Sequence, residues 1–330
     1  MLRNIVSLPI LLFAGLASVL ASTLPTTVQA QTVTEAWISG VGSDNNTSSN
    51  CQRSAPCLTL SAALTVTRSG ATIFCSDPDL TDAGVNDNRQ NLPVTISTTV
   101  TIDCSEGFNA VVGSIFGGEA ILINTAGITV TFRNLTIYST NTNPIGIDIT
   151  AAAVVRLENC KIFGFATAGV EVAPSSGNVV VKIQDSTITQ NNAGILVAPT
   201  GSASVSMSID RSRIENNSGG GMKTDTSSGA ISASISDSSV SFNAGNGLNA
   251  VSISGAQNML TLVRDVITKN GNVGIQANGT NAAALVNGSV LDSNTAGATS
   301  AIGGGRILTY GNNSIVGSAG PGFTGSATLQ

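Results

Sequence analysis

The sequence predicts an all-β fold, a right-handed parallel β-helix (solenoid) with a short N-terminal helical cap. Three observations carry that prediction. A Gly-led unit, Gly followed by an apolar residue, any residue, and an apolar or small one, recurs at Gly146, Gly169, Gly194, Gly221, Gly247, Gly274 and Gly297. A second marker recurs independently with the same spacing of 23 to 27 residues, at Ile137, Ile162, Ile188, Ile214, Val240, Ile267, Val290 and Ile315. Between the markers the alternation has a period of two. Val179-Val181-Ile183, Val205-Met207-Ile209 and Ile231-Ala233-Ile235 put apolar residues on one face, and Lys182, Ser208 and Ser234 on the other. Short strands separated by Gly, Asn, Ser and Pro turns at a fixed period describe a coil that advances one strand spacing per turn. Connections between parallel strands are nearly always right-handed, which sets the hand.

In chain order, residues 1–30 have the layout of a secretory signal peptide. Met1-Leu2-Arg3-Asn4 is a short positive start, residues 5–21 are an apolar run, and Leu24-Pro25 breaks it. Cleavage after Ala30 fits Val28-Gln29-Ala30, with Val19-Leu20-Ala21 as the alternative. The mature product is expected to be secreted or periplasmic, with no membrane span, because no second long apolar run follows. Residues 31–70 form the cap segment, in which 56–64 is the amphipathic helix candidate. Residues 71–330 form the β-helix, in about ten coils at about 4.8 Å each.

Export makes disulfides permissible. Cys51 and Cys57 bracket a short loop that a disulfide would close. Segments 71–75 and 100–104 look alike, each ending Ile-x-Cys. Stacked as neighbours, they bring Cys75 and Cys104 about 4.8 Å apart, within the span a disulfide accepts. Cys160 is then left over as a buried, reduced thiol, aligned with Ser186, Ser212 and Ser238.

Composition narrows the function. Charged residues make up 10% of the chain, against about a quarter in an ordinary domain, so turns must be held by stacked polar side chains. Asn191, Asn217, Asn243 and Asn270, each three residues after its marker, form such a ladder. Ile, Val and Leu fill a tube too narrow for large aromatics. The absence of His removes Ser-His-Asp and Cys-His nucleophile systems and every His-containing zinc site. A net charge of −5 without a basic block argues against nucleic acid as a partner.

The segment Trp37-Ile38-Ser39-Gly40-Val41-Gly42-Ser43-Asp44, then Cys51, Ala55-Pro56-Cys57 and Thr59-Leu60-Ser61-Ala62-Ala63-Leu64, resembles the opening of secreted bacterial right-handed parallel β-helix repeat proteins. With the later Asn/Gly repeats, the resemblance to this pectin/pectate-lyase-like superfamily covers nearly the whole mature chain. It implies the fold strongly and the activity weakly, since members include polysaccharide lyases, hydrolases, epimerases and noncatalytic surface proteins. Polygalacturonase-type members use paired Asp with a His-containing motif, which this chain does not supply. Calcium-dependent lyases use clustered carboxylates and an Arg or Lys base, which the composition permits.

Alternation assigns the outward positions. The third residue of the Gly-led strand gives the column Asp148, Glu171, Leu196, Lys223, Asn249, Gln276, Thr299. Asp148 and Glu171 fall on consecutive coils, where two carboxylates raise one pKa or recruit a cation. They are the candidate calcium ligands and substrate contacts, with Lys223 the candidate base. Arg156 and Lys182, on neighbouring coils, are candidate contacts for an acidic sugar. A further column, Asn134, Asn159, Asp185, Arg211, Asp237, Arg264, Asn287, alternates in sign at its centre and reads as a structural charge ladder. Trp37 and Tyr310 are too few and too distant for a sugar-stacking platform. Two functions follow: an exported, noncatalytic scaffold binding a glycan or cell surface, or a calcium-dependent lyase or epimerase acting on acidic polysaccharide.

Overall fold

One coil shows how the chain is laid out. Asn178–Gln184 lies in a first sheet, here A; Thr187–Thr189 in a second, C; Ala193–Val197 in a third, B; and Ser204–Asp210 returns to A. The computed structural model describes residues 32–76, 94–106, 110–114, 118–139, 143–226, 228–252, 255–317 and 322–327. Among them sheet A has twelve strands and sheets B and C nine each, paired in parallel, against the ten coils expected. The all-β parallel β-helix predicted from the sequence is the observed fold. The expected signal peptide lies outside the described residues, and no described helix is long and apolar enough to cross a membrane.

The parallel pairing reaches back into the cap segment, where Val33–Ile38 pairs with Thr67–Cys75. The cap helix is Leu60–Val66, starting later than position 56. Cys57 cannot join it, because it is bonded to Cys51 and its backbone N–H donates to the Trp37 carbonyl (2.9 Å). Thr59 caps the helix, its Oγ1 accepting the Ala62 N–H at 3.1 Å. The Asp44 carboxylate in turn accepts the N–H groups of Leu58 and Thr59 (3.0 and 2.9 Å). Leu60, Ala63, Leu64 and Val66 are buried.

Corners pose the main problem, because the chain there leaves the sheet while its backbone stays buried. At the A-to-C corner one residue per coil takes a left-handed conformation, from Asn134 (φ 54°) through Arg211 (φ 45°) to Gly288 (φ 60°). At the C-to-B corner Gln190, Asn216, Phe242, Lys269 and Ser293 do the same. The next residue at that corner is the ladder asparagine. Asn217 Oδ1 accepts the backbone N–H of Asn191 in the preceding coil (3.0 Å), and Asn217 Nδ2 donates to Asn243 Oδ1 (2.8 Å). Asn191, Asn217, Asn243 and Asn270 all behave this way, and Asn294 is a fifth member. The glycine after the ladder is required by packing. A Cβ on Gly194 would lie 2.5 Å from the Gly221 carbonyl oxygen and 2.6 Å from Ile214 Cγ2.

Asn294 escapes the sequence markers for a definite reason. Ile267 pairs with Leu291, a step of 24 residues where the preceding one is 27, so the β-branched neighbour Val290 was selected instead. The same shift corrects three more assignments: Ala298 rather than Gly297 matches Gly274, Ser300 rather than Thr299 faces outward, and Gly288 rather than Asn287 ends the corner column. The tube also admits aromatics, contrary to expectation. Phe132 and Phe165 are fully buried, and Phe165 fits because a Cβ on Gly146 would lie 2.8 Å from its ring.

Cys51–Cys57 and Cys75–Cys104 are disulfide-bonded, with Cα separations of 4.9 and 4.7 Å. Cys160 is free and buried, and burial pushes its thiol up to about 11. Native protein should therefore react with a thiol reagent far more slowly than denatured protein, and Cys160 alone should be labelled after unfolding without reductant. Asn217→Ala should cost about 1–3 kcal/mol, because it strands the buried Asn191 N–H and the Asn243 rung; urea unfolding measures it.

Candidate functional site

The outer face of sheet B carries the candidate residues in one column, and the register confirms their order. Leu122, Asp148, Glu171, Leu196, Lys223, Asn249, Gln276 and Ser300 stand on successive rungs. Asp148 and Glu171 are therefore direct neighbours. Among the described residues neither has an ion-pair partner. Partial burial, the Glu171 charge and then the Glu119 charge push the Asp148 carboxyl up to about 6. Burial raises Glu171 as well. Glu119 was not singled out in the sequence, because it belongs to no repeat marker.

Asp148 and Glu171 bring two side-chain carboxylates to this face. Calcium takes six to eight oxygen ligands. Among the described residues no three or more acidic, His or Cys side chains are grouped to hold a metal. The chemistry available here is proton exchange near pH 6 at Asp148, and hydrogen bonding at both carboxyls.

Lys223 stands two rungs from Glu171, with Leu196 between them, a separation of about 10 Å. Its Nζ is paired with Asp225 on the same strand at 2.7 Å. It also lines a groove of about 470 Å³. Leu196, Lys223 and Asn249 contribute to the lining from three rungs of sheet B, and Asn192, Asn246 and Asn272 from the C-to-B connections. The groove exists because those connections carry Gly219, Gly220 and Gly245 where other rungs would place side chains. A Cβ on Gly219 would lie 2.4 Å from Asn192 Oδ1. Sequence reasoning missed the three loop asparagines, although their signal is visible: each lies in the Asn/Gly-rich stretch between a ladder Asn and the next Gly-led strand.

Arg156 and Lys182 are also neighbours, paired in register on sheet A. The structure thus forms both expected pairs but places them on different walls of the coil. The acids near Arg156 and Lys182 are engaged elsewhere: Glu158 with Arg133 at 2.6 Å, and Asp210 with Arg211. The corner column is the structural charge ladder expected. Arg211 and Arg264 hold Asp185 and Asp237, and those hydrogen bonds keep both carboxyls below their ordinary range. Such exposed pairs add little stability. Trp37 is structural, stacked on Phe74 with its ring under the Arg53 guanidinium. A stacked pair on the outer face of sheet C, Tyr138 and Phe163, was not anticipated.

Comparison with known proteins agrees with this architecture. The family model described as "Right handed beta helix region" matches residues 119–291, just over half of the chain. The solved structure titled "Crystal structure of pectate lyase Pel9A" is similar over 89% of this chain and 78% of that one, with a TM-score of 0.59. At 14% identity that likeness shows the fold alone. No curated protein matches the chain in sequence.

The raised Asp148 carboxyl has a stability consequence with a definite sign. Between about pH 4 and 6 the folded chain holds a proton that the unfolded chain has released, so stability falls as pH rises through that window. Asp148→Asn should therefore raise the melting temperature at pH 7 and leave it unchanged below pH 4. Melting curves across pH 3.5 to 8 provide the check.

Proposed function

Because the chain belongs to the right-handed β-helix family, a fold that hosts binding and catalysis alike, we propose from its own groove that it is a noncatalytic saccharide-binding scaffold. The observation that carries this reading is the amide-lined groove on sheet B. Asn192, Asn249 and Asn272 offer donors and acceptors together, as a ring of sugar hydroxyls requires, beside Asn246, whose amide is held by Val273 N–H and Gln276 Oε1. Leu196 supplies an apolar surface for the less polar face of the ring. Lys223, already partnered by Asp225, presents a neutralised charge that suits hydrogen bonding better than proton abstraction.

Disulfides favour an oxidising compartment, so the proposed setting is outside the cytoplasm, reached through the signal peptide read at residues 1–30. The polysaccharide or cell-surface glycan it meets there is the proposed partner.

One observation favours a second reading, a lyase or epimerase acting on acidic glycan. Asp148 titrates near 6 and has Glu171 beside it, which is the range of a useful general acid. Against it stands the distance to Lys223, too long for a concerted acid–base pair.

The two readings separate in one set of measurements. Calorimetry against neutral and acidic oligosaccharides should show binding that falls about tenfold or more in Lys223→Ala and Asn249→Ala, a loss of about 1.4 kcal/mol. Arg156→Ala and Lys182→Ala should bind as the parent does; loss there instead would move the site to sheet A. Turnover of acidic polysaccharide, abolished by Asp148→Asn with Glu171→Gln, would establish the enzymatic reading in its place.

A further inference from the structure

The strand Met222–Asp225 sets a cation and an anion side by side on the outer face of sheet B. Alternation turns Lys223 and Asp225 outward, while Met222 and Thr224 are buried. Lys223 Nζ lies 2.7 Å from Asp225 Oδ2, and both side chains keep contact with water. Among the described residues lining the groove, Lys223 alone has an ionisable side chain. Its charge is thus answered within its own strand before any ligand arrives.

The neighbouring rungs do not add to that positive charge. Beyond Lys223 the column continues with Asn249, Gln276 and Ser300, all uncharged. Before it stand Glu171, about 10 Å away, and Asp148, one rung further. Lys269, at the C-to-B corner, is not among the lining residues, and its Nζ lies over the Phe242 ring, 5.1 Å from the centroid. A carboxylate or sulfate brought to Lys223 would compete with Asp225 for one cation and meet its negative charge at close range.

Hydrogen bonding points the same way. Asn246 already uses both ends of its amide, on the Val273 N–H and on Gln276 Oε1. Asn249 does not, because its Oδ1 is enclosed and receives no donor among the described residues. A buried acceptor left open is costly, and a ligand that supplies a donor offsets that cost. A sugar hydroxyl carries such a proton, whereas an ionised carboxylate or sulfate presents acceptors only.

On the saccharide-binding reading of the groove, we infer that it selects uncharged saccharides over acidic ones, and that Asp225 sets the selection. Asp225 does not line the groove, so it is a positioning residue. It acts by holding Lys223 neutralised, and by repelling an anion that approaches the same lysine.

A glycan array of uronate oligosaccharides, each beside its carboxyl-reduced counterpart, isolates ligand charge from ligand shape. Calorimetry on the pairs that bind, at about 50 mM salt, then gives the ratio of affinities. The parent should bind the reduced member about fivefold or more tightly than the acidic one. Asp225→Asn should shift that ratio about tenfold toward the acidic member, and about 0.5 M salt should shrink the shift. Asp225→Glu keeps the charge and should keep the parental ratio. A parent that binds the acidic member equally well or better would overturn the selection, and so would an unchanged ratio in Asp225→Asn. Binding of no member, acidic or reduced, would overturn the saccharide reading itself and the selection with it.

Discussion

Every feature of this molecule depends on hydrogen bonding from each coil to the next in a fixed register. Along the sheets the backbone supplies those bonds itself. At the corners it cannot, because the chain turns while remaining buried, and an unpaired buried N–H costs about as much as a lost hydrogen bond. The asparagine ladder at one corner and the column of Ser186, Ser212, Ser238 and Asp265 at the other are the side-chain substitutes. They explain the composition. Polar residues are plentiful where they complete the backbone pairing, and charged ones are few because amides and hydroxyls both give and accept.

That same register decides what the outer surface can do. Outward positions form straight columns, so a side chain's neighbours are whatever stands at the same point of the adjacent coils. Asp148 has Glu171 beside it for this reason, and partial burial raises both carboxyls, the neighbouring charge adding to the shift at Asp148, without any specific pocket. Lys223 is separated from them by a whole rung for the same reason. The groove arises where the connections shrink to glycine, so its position is set by loops and not by the strands that carry the column.

Much of the fold could be read from the sequence because the constraint is periodic. A period of two inside a longer repeat left few architectures, and the likeness of segments 71–75 and 100–104 placed Cys75 against Cys104. Where the period slipped, the reading slipped with it: one coil of 24 residues displaced Asn287, Val290, Gly297 and Thr299 by a single position each. The site was less legible. Adjacency of Asp148 with Glu171 and of Arg156 with Lys182 followed from counting, whereas the separation of the two pairs onto different walls required the corners. Asn246 and Asn272 lie between repeat markers, and Asp265 stands one step of 27 beyond Ser238, past the last residue aligned with Cys160. The expectation of a tube without large aromatics fails at Phe165, whose space comes from a glycine one coil away.

The two disulfides both lie at the beginning of the rod, one closing the loop at Cys51 and Cys57, the other riveting two successive strands of sheet A through Cys75 and Cys104. The described rungs beyond Cys104 are joined by noncovalent bonds alone. The rod therefore has a mechanical direction. Pulled along its axis, it should shed rungs one at a time from the far end, like a zip whose first teeth are welded, and the cystine-bound rungs would remain as a foothold from which the coil can rewind.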